Sequence, residues 1–169
     1  GVLLVLTVLD GNGNVFPAAL GLAESENVHT WTWFLALVKT ALNINDGEGV
    51  VVLIDREKGI ENALAALLPR AAHSYCVYHI QKNVKVHFHT SLEGLLFRAA
   101  NAPDEGSFLR AMAEMKRVNI AAGEYVERID KAKWARAFFP RRRYGQVTSN
   151  ISESMNWWLD EVRHLDPIG

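Results

Sequence analysis

Two carboxylates stand out for where they fall. Asp55 closes the apolar run Gly49-Val50-Val51-Val52-Leu53-Ile54, the pattern of a buried strand. In open α/β sheets, ligands and catalytic groups gather beyond the carboxyl ends of the strands. Arg56-Glu57-Lys58-Gly59 and a helical pattern follow at once, so Asp55 sits where a strand hands over to a crossover helix. A carboxylate there suits a metal ligand or a general base. Glu153, in Asn150-Ile151-Ser152-Glu153, is a candidate partner. Hard divalent ions prefer carboxylate oxygens, so such a pair suits Mg²⁺ or Mn²⁺. Both acids also have plainer readings. Asp is a good helix N-cap, and Asn150 with Glu153 three residues on is spaced like a capping box. The apolar stripe Ile151, Met155, Trp158 and Val162 also points away from Glu153 at about 100° per residue.

Cys76 and His79 form a Cys-x-x-His pair, with His73 just ahead. One cysteine among scattered histidines is a weak zinc pattern, because structural zinc takes several thiolates. Simple burial of Cys76 in a strand is the alternative. Arg141, Arg142 and Arg143 form the densest basic run, with Lys131, Lys133 and Arg136 ahead of it. Phosphate contacts need such a patch, although a solvated basic linker has the same composition. Trp31, Trp33, Trp134, Trp157 and Trp158 read as packing residues rather than base-stacking platforms.

The elements that must position these groups are legible in the spacing. Val2 to Leu9 and Val15 to Ala23 are apolar runs joined by Asp10-Gly11-Asn12-Gly13-Asn14, a turn signal that predicts an antiparallel hairpin. The length of the second run predicts burial on both faces. Trp31, Phe34, Leu35, Val38 and Leu42 predict a helix, and the Asp55 strand follows. Ile60 to Leu67 predict a second helix, stopped by Pro69. His73 to Tyr78 read as a strand. Helical patterns then run from His79 to Phe139, including one carried by Tyr125, Ile129 and Trp134. Pro140 to Gly145 form a basic link, and Ile151 to Val162 mark a final helix.

Composition sets the frame. A chain of 169 residues suggests one domain, or one domain with an insertion. Hydrophobic content of 49% against 22% charged predicts a packed core. A net charge of −1 means that nucleic-acid binding must use a local patch. The single cysteine excludes an intrachain disulfide. No apolar run reaches the roughly 18–20 residues that span a bilayer, so no membrane segment is expected.

The order β-β-α-β-α-β followed by helices, with these residues, resembles the transposase domain of Mutator-like elements (MULE), of the ribonuclease H-like superfamily. The resemblance rests on Asp10-Gly11-Asn12-Gly13 through Phe16-Pro17-Ala18-Ala19, and on Glu24-Ser25-Glu26 with Trp31-Thr32-Trp33-Phe34. It rests equally on Asp55-Arg56-Glu57-Lys58-Gly59-Ile60, Pro69-Arg70-Ala71 leading to Cys76 and His79, and Thr148 to Asn156. It implies an α/β fold with a ribonuclease H-like mixed sheet: a core over residues 1–90, an α-helical insertion over 91–140, and over 141–169 a final core helix carrying the third acid. It implies metal-dependent DNA strand cleavage and transfer in transposition. Asp55 and Glu153 would be two acids of an Asp-Asp-Glu triad holding two Mg²⁺ or Mn²⁺ ions. Cys76, His79, Arg141, Arg142 and Arg143 would lie toward DNA. The partners implied are transposon ends and other transposase protomers, in the nucleus.

The first acid of that family lies on a strand ahead of the hairpin, upstream of Gly1. The expectation is a sheet lacking its first strand, with either a gap or direct pairing between the Val2–Leu9 and Val50–Ile54 strands, and a chain inactive alone. Asp10 belongs to the hairpin turn and is not a substitute. Two alternatives stand beside this reading: a non-catalytic, DNA-associated or transcription-regulatory remnant of a transposase, and a ribonuclease H-like nuclease.

Overall fold

Val2–Leu9 (β1) and Val15–Ala23 (β2) pair antiparallel, from Val2 opposite Ala23 to Leu9 opposite Val15. The computed structural model describes residues 1–10, 12 and 14–141. Asp10 organises the turn of this hairpin. Its Oδ1 accepts from the backbone N–H of Asn12 at 2.9 Å and of Asn14 at 2.7 Å. Its Oδ2 accepts from the Asn14 side-chain amide at 2.8 Å. The register shifts between Leu6, opposite Ala19, and Thr7, opposite Pro17. Proline has no N–H to give to a ladder, and an irregularity is where a strand tolerates it.

The remaining elements in chain order are α1 (Val28–Ala41), β3 (Val51–Ile54), α2 (Lys58–Leu67), β4 (Ala72–Tyr75), α3 (Val77–Phe88), α4 (Glu93–Ala100), α5 (Glu105–Val118) and α6 (Ile120–Glu127). A single 3₁₀ turn, Lys131–Lys133, comes last. The described residues thus make a mixed α/β chain whose strands form two ladders of two, β1–β2 and β3–β4. β1 and β3 share no ladder, so the direct-pairing expectation is not met. The described residues divide into two compact units, 1–48 with 57–70, and 49–56 with 71–141.

In the first unit, one face of the hairpin packs on α1. Leu4, Phe34 and Val38 are buried together, flanked by Val2, Leu6, Ala19, Trp31 and Ile44. Gly21 permits this approach, because a Cβ there would stand 2.8 Å from the Phe34 ring. Asn27 caps α1 by accepting from the N–H groups of His29 and Thr30, and α2 packs along α1. The expectation that β2 is buried on both faces is wrong: Phe16, Leu20 and Leu22 are 47%, 53% and 65% exposed. A continuous apolar run fits a strand buried on both faces, but hydropathy alone does not tell that from a half-covered strand with apolar residues on its open face.

The second unit is mostly helical. Val77, Ile80, Val84, Leu92, Leu96, Met115, Val126 and Trp134 are fully enclosed in it. Gln81 ties α3 to the start of α4: its amide donates to Ser91 Oγ at 2.9 Å and accepts from the Leu92 N–H at 3.1 Å. Two expected boundaries move. The strand expected to reach Tyr78 ends at Tyr75, and Cys76 is already the residue preceding α3. The helix expected through Trp134 ends at Glu127, because Asp130 starts a new turn by accepting from the Ala132 N–H at 3.0 Å. Ile129 and Trp134 are buried nonetheless. The Ile151–Val162 helix, and all but Arg141 of the 141–169 segment, lie outside the described residues.

Candidate functional site

β3 and β4 are parallel, with Ile54 opposite Tyr75. The Cys76 N–H donates to the Ile54 carbonyl at 2.8 Å and carries the ladder one step past the strands. Asp55 and Cys76 therefore leave the sheet at the same carboxyl edge, the place where α/β folds gather functional groups. Asp55 is exposed. The N-cap reading of Asp55 does not hold. Glu57 precedes α2 and accepts from the Ile60 N–H at 3.0 Å, so Asp55 stands outside the cap.

Cys76 is fully buried, and α3 starts after it without a side-chain cap. His79 follows in the first turn of α3, half-buried, with the Tyr78 ring edge-on at 6.1 Å. The structure so brings Asp55, Cys76 and the start of the helix carrying His79 to one edge.

Arg56, directly after Asp55, has φ 76°. For a side chain other than glycine, the left-handed region costs about 1–2 kcal/mol. What holds Arg56 there is aromatic. Its guanidinium carbon lies 5.5 Å from the Tyr75 ring centroid and 6.0 Å from that of Tyr125. Its Nη1 donates to the Tyr125 hydroxyl at 3.1 Å. A second cation reaches the same ring: Lys133 Nζ is 4.9 Å from the Tyr75 centroid and donates to the Tyr75 hydroxyl at 3.0 Å. Phe88 and His87 flank Tyr125, with ring centroids 5.5 and 6.3 Å away. Sequence reasoning missed this cluster. The Arg56–Tyr125 and Tyr75–Lys133 contacts join residues 69 and 58 positions apart, and local periodicity carries no trace of such pairs. The one available signal was an arginine placed immediately after a strand-end aspartate.

The basic approach to the arginine run splits. Lys131 lies over the Phe138 ring at 4.0 Å and 3.5 Å from Glu105 Oε1, whereas Lys133 goes to Tyr75. Arg141 is exposed. Arg142, Arg143 and Glu153 lie outside the described residues. Among the described residues, no group of three or more His, Cys, Asp or Glu side chains is placed to hold a metal ion. A divalent ion such as Mg²⁺ wants near-octahedral oxygen coordination, and Asp55 alone does not provide a fit.

Among the described residues, Asp46, Asp104 and Glu114 have lowered pKa values, and each serves structure instead. The Glu48 N–H, with Arg70 beside it, lowers Asp46. The Ser107 N–H and hydroxyl lower Asp104 at the start of α5. A hydrogen bond from Arg98 lowers Glu114.

With this geometry in view, residues 1–83 match the family described as the MULE transposase domain. The match contains Asp55, Arg56, Cys76 and His79 and stops within α3. A stretch of 71 residues, 41% of this chain, is 32% identical to Protein FAR1-RELATED SEQUENCE 4 of Arabidopsis thaliana. That stretch spans 9% of the relative's length. No described helix is long and apolar enough to cross a membrane.

Proposed function

We propose, from the match of residues 1–83 to the MULE transposase domain, that this transposase-derived chain forms a ribonuclease H-like domain acting on nuclear DNA. The observation that carries the reading is Asp55 at the exposed carboxyl end of β3, inside the family match. In this reading residues 1–90 form the core, 91–140 the helical insertion, and 141–169 bring Glu153 in as a second carboxylate. Asp55 and Glu153 serve as ligands for Mg²⁺ or Mn²⁺, which would activate water and stabilise the leaving oxygen of a DNA strand. His79 and Arg141 to Arg143 face the nucleic acid, and Cys76, buried just ahead of α3, belongs to the same motif. Transposon ends and other transposase protomers are the partners.

A second reading is a DNA-associated, transcription-regulatory protein derived from a transposase that binds without cutting. Supercoiled plasmid with Mg²⁺ or Mn²⁺ separates the two. The catalytic reading expects nicking by a protein that also supplies the family's first acid, and expects Asp55→Asn and Glu153→Gln each to abolish it while duplex binding persists. Binding without nicking favours the non-catalytic reading. A protein that neither binds nor nicks DNA sinks both.

A further inference from the structure

The cation cluster that follows Asp55 in the chain calls for its own account. Arg56 and Lys133 come from distant parts of the chain, yet both charges lie within 5.5 Å of the Tyr75 ring centroid. Tyr75 ends β4 and is itself buried, so the ring is a fixed platform and not a mobile surface group. Both cations remain partly exposed. Among the described residues, Arg56 makes its polar contact with the Tyr125 hydroxyl rather than with a carboxylate. A guanidinium has five N–H donors in a planar fork, and this contact occupies one of its nitrogens.

We infer that Arg56 and Lys133 bind a phosphodiester group of a nucleic-acid strand and seat it beside Asp55. Arginine matches phosphate oxygens in pairs, and lysine adds a point charge. The neighbouring Asp55 carboxylate favours the singly charged diester over a free phosphate dianion, which it repels more strongly. Tyr125 adds a ring next to the guanidinium, and His87 and Phe88 flank Tyr125, rings of the kind on which bases stack. Arg56 is a binding and positioning residue here. The inference rests on the reading that the domain acts on DNA.

The test is fluorescence anisotropy of a labelled duplex with the whole chain, in chelator so that metal binding at Asp55 plays no part, across a salt series. Arg56→Gln and Lys133→Gln should each weaken binding several-fold. Each should also make the slope of log K against log salt shallower by about 0.9, the loss of one phosphate contact. Arg110→Gln, at an exposed site on α5, should leave both unchanged. Because Arg56→Gln also removes tyrosine contacts, a second measurement uses the unaltered chain. Duplex should slow modification of Arg56 by p-hydroxyphenylglyoxal, read by peptide mass spectrometry, and should not slow that of Arg110. Inorganic phosphate should not protect Arg56. Unchanged slopes, or unprotected Arg56 in a chain that binds duplex, overturn the inference while leaving DNA binding intact. Equal protection by inorganic phosphate overturns the strand as ligand. An unaltered chain that binds no duplex removes the underlying reading and this one with it.

Discussion

Replacing Arg56 by glycine and by alanine should reverse the usual order of those two residues. At φ 76° an alanine keeps the left-handed penalty of about 1–2 kcal/mol, and glycine does not pay it. Glycine carries an opposing entropic disadvantage of about 0.5–1 kcal/mol. The difference leaves Arg56→Gly more stable than Arg56→Ala by about 0.5–1 kcal/mol. Both variants lose the same side-chain contacts. Those are two cation–π contacts at about 0.5–1 kcal/mol each and a hydrogen bond worth about 0.5–1.5 kcal/mol. Alanine should therefore fall below the parent chain by about 2–3 kcal/mol, with glycine recovering part of that loss. Urea titration followed by tryptophan emission reads the outcome, since Trp134 is fully buried in the unit that holds Arg56. With a slope of about 2 kcal/mol per molar urea, the glycine midpoint should lie about 0.3–0.5 M above the alanine midpoint. An alanine variant as stable as the glycine variant, or more so, would refute the strained backbone, and with it the case that aromatic contacts hold Arg56 against its own preference.

Two helical glycines should answer oppositely to alanine. A Cβ at Gly123 would stand 2.9 and 3.0 Å from the Lys116 backbone N and Cα, so overpacking should outweigh the helix propensity gained, and Gly123→Ala should lower stability by about 1–2 kcal/mol. Nothing lies within 4 Å of such an atom at Gly94, and Gly94→Ala should raise stability by about 0.5 kcal/mol in the same urea assay. Gln81→Ala should cost about 1–3 kcal/mol by leaving the buried Leu92 N–H without its acceptor, while a midpoint within error of the parent would show that water replaces the side chain. The Ser107 N–H holds Asp104 below the usual carboxylate range, so its contribution is complete above the unfolded pKa and fades as pH falls through the lower folded one. Amide exchange at Ser107, corrected for its intrinsic pH dependence, should lose protection only in that acid window, and protection already lost at neutral pH would contradict the cap.

The hairpin was legible because its signal is local. Two apolar runs and an Asx-rich turn fix β1 and β2 at the bounds read from the sequence, and the Asp10 carboxylate gathers the turn amides as that composition suggests. The same locality explains the errors. Val77 continues an apolar stretch, and α3 opens without a side-chain cap, so nothing in the residues marks the change from strand to helix at Cys76. Ile129 keeps helical spacing from Tyr125 and stays buried although the backbone has left the helix after Glu127, because burial rewards the spacing whether or not the hydrogen bonds continue. At the site, Asp55 was visible from its strand and Glu57 took the cap that Asp55 also suited. The tyrosines and Lys133 were invisible as a group, since only folding brings them to Arg56.

That cluster changes how the Asp55 motif is to be understood. A glycine after Asp55 would accept the φ of 76° without strain. The chain carries an arginine instead and spends two tyrosines and a hydrogen bond fixing it. Strain maintained at a strand end motivates a role for the side chain, which the Arg56→Gln binding assay tests. The carboxylate and the guanidinium belong to consecutive residues at one sheet edge, and in the proposed reading one phosphodiester meets both: cations hold its oxygens and the acid organises what attacks it. If binding is retained in Asp55→Asn but weakened in Arg56→Gln, the two neighbours divide those tasks, and a domain that had lost cleavage would keep its grip on DNA without the Asp55 carboxylate.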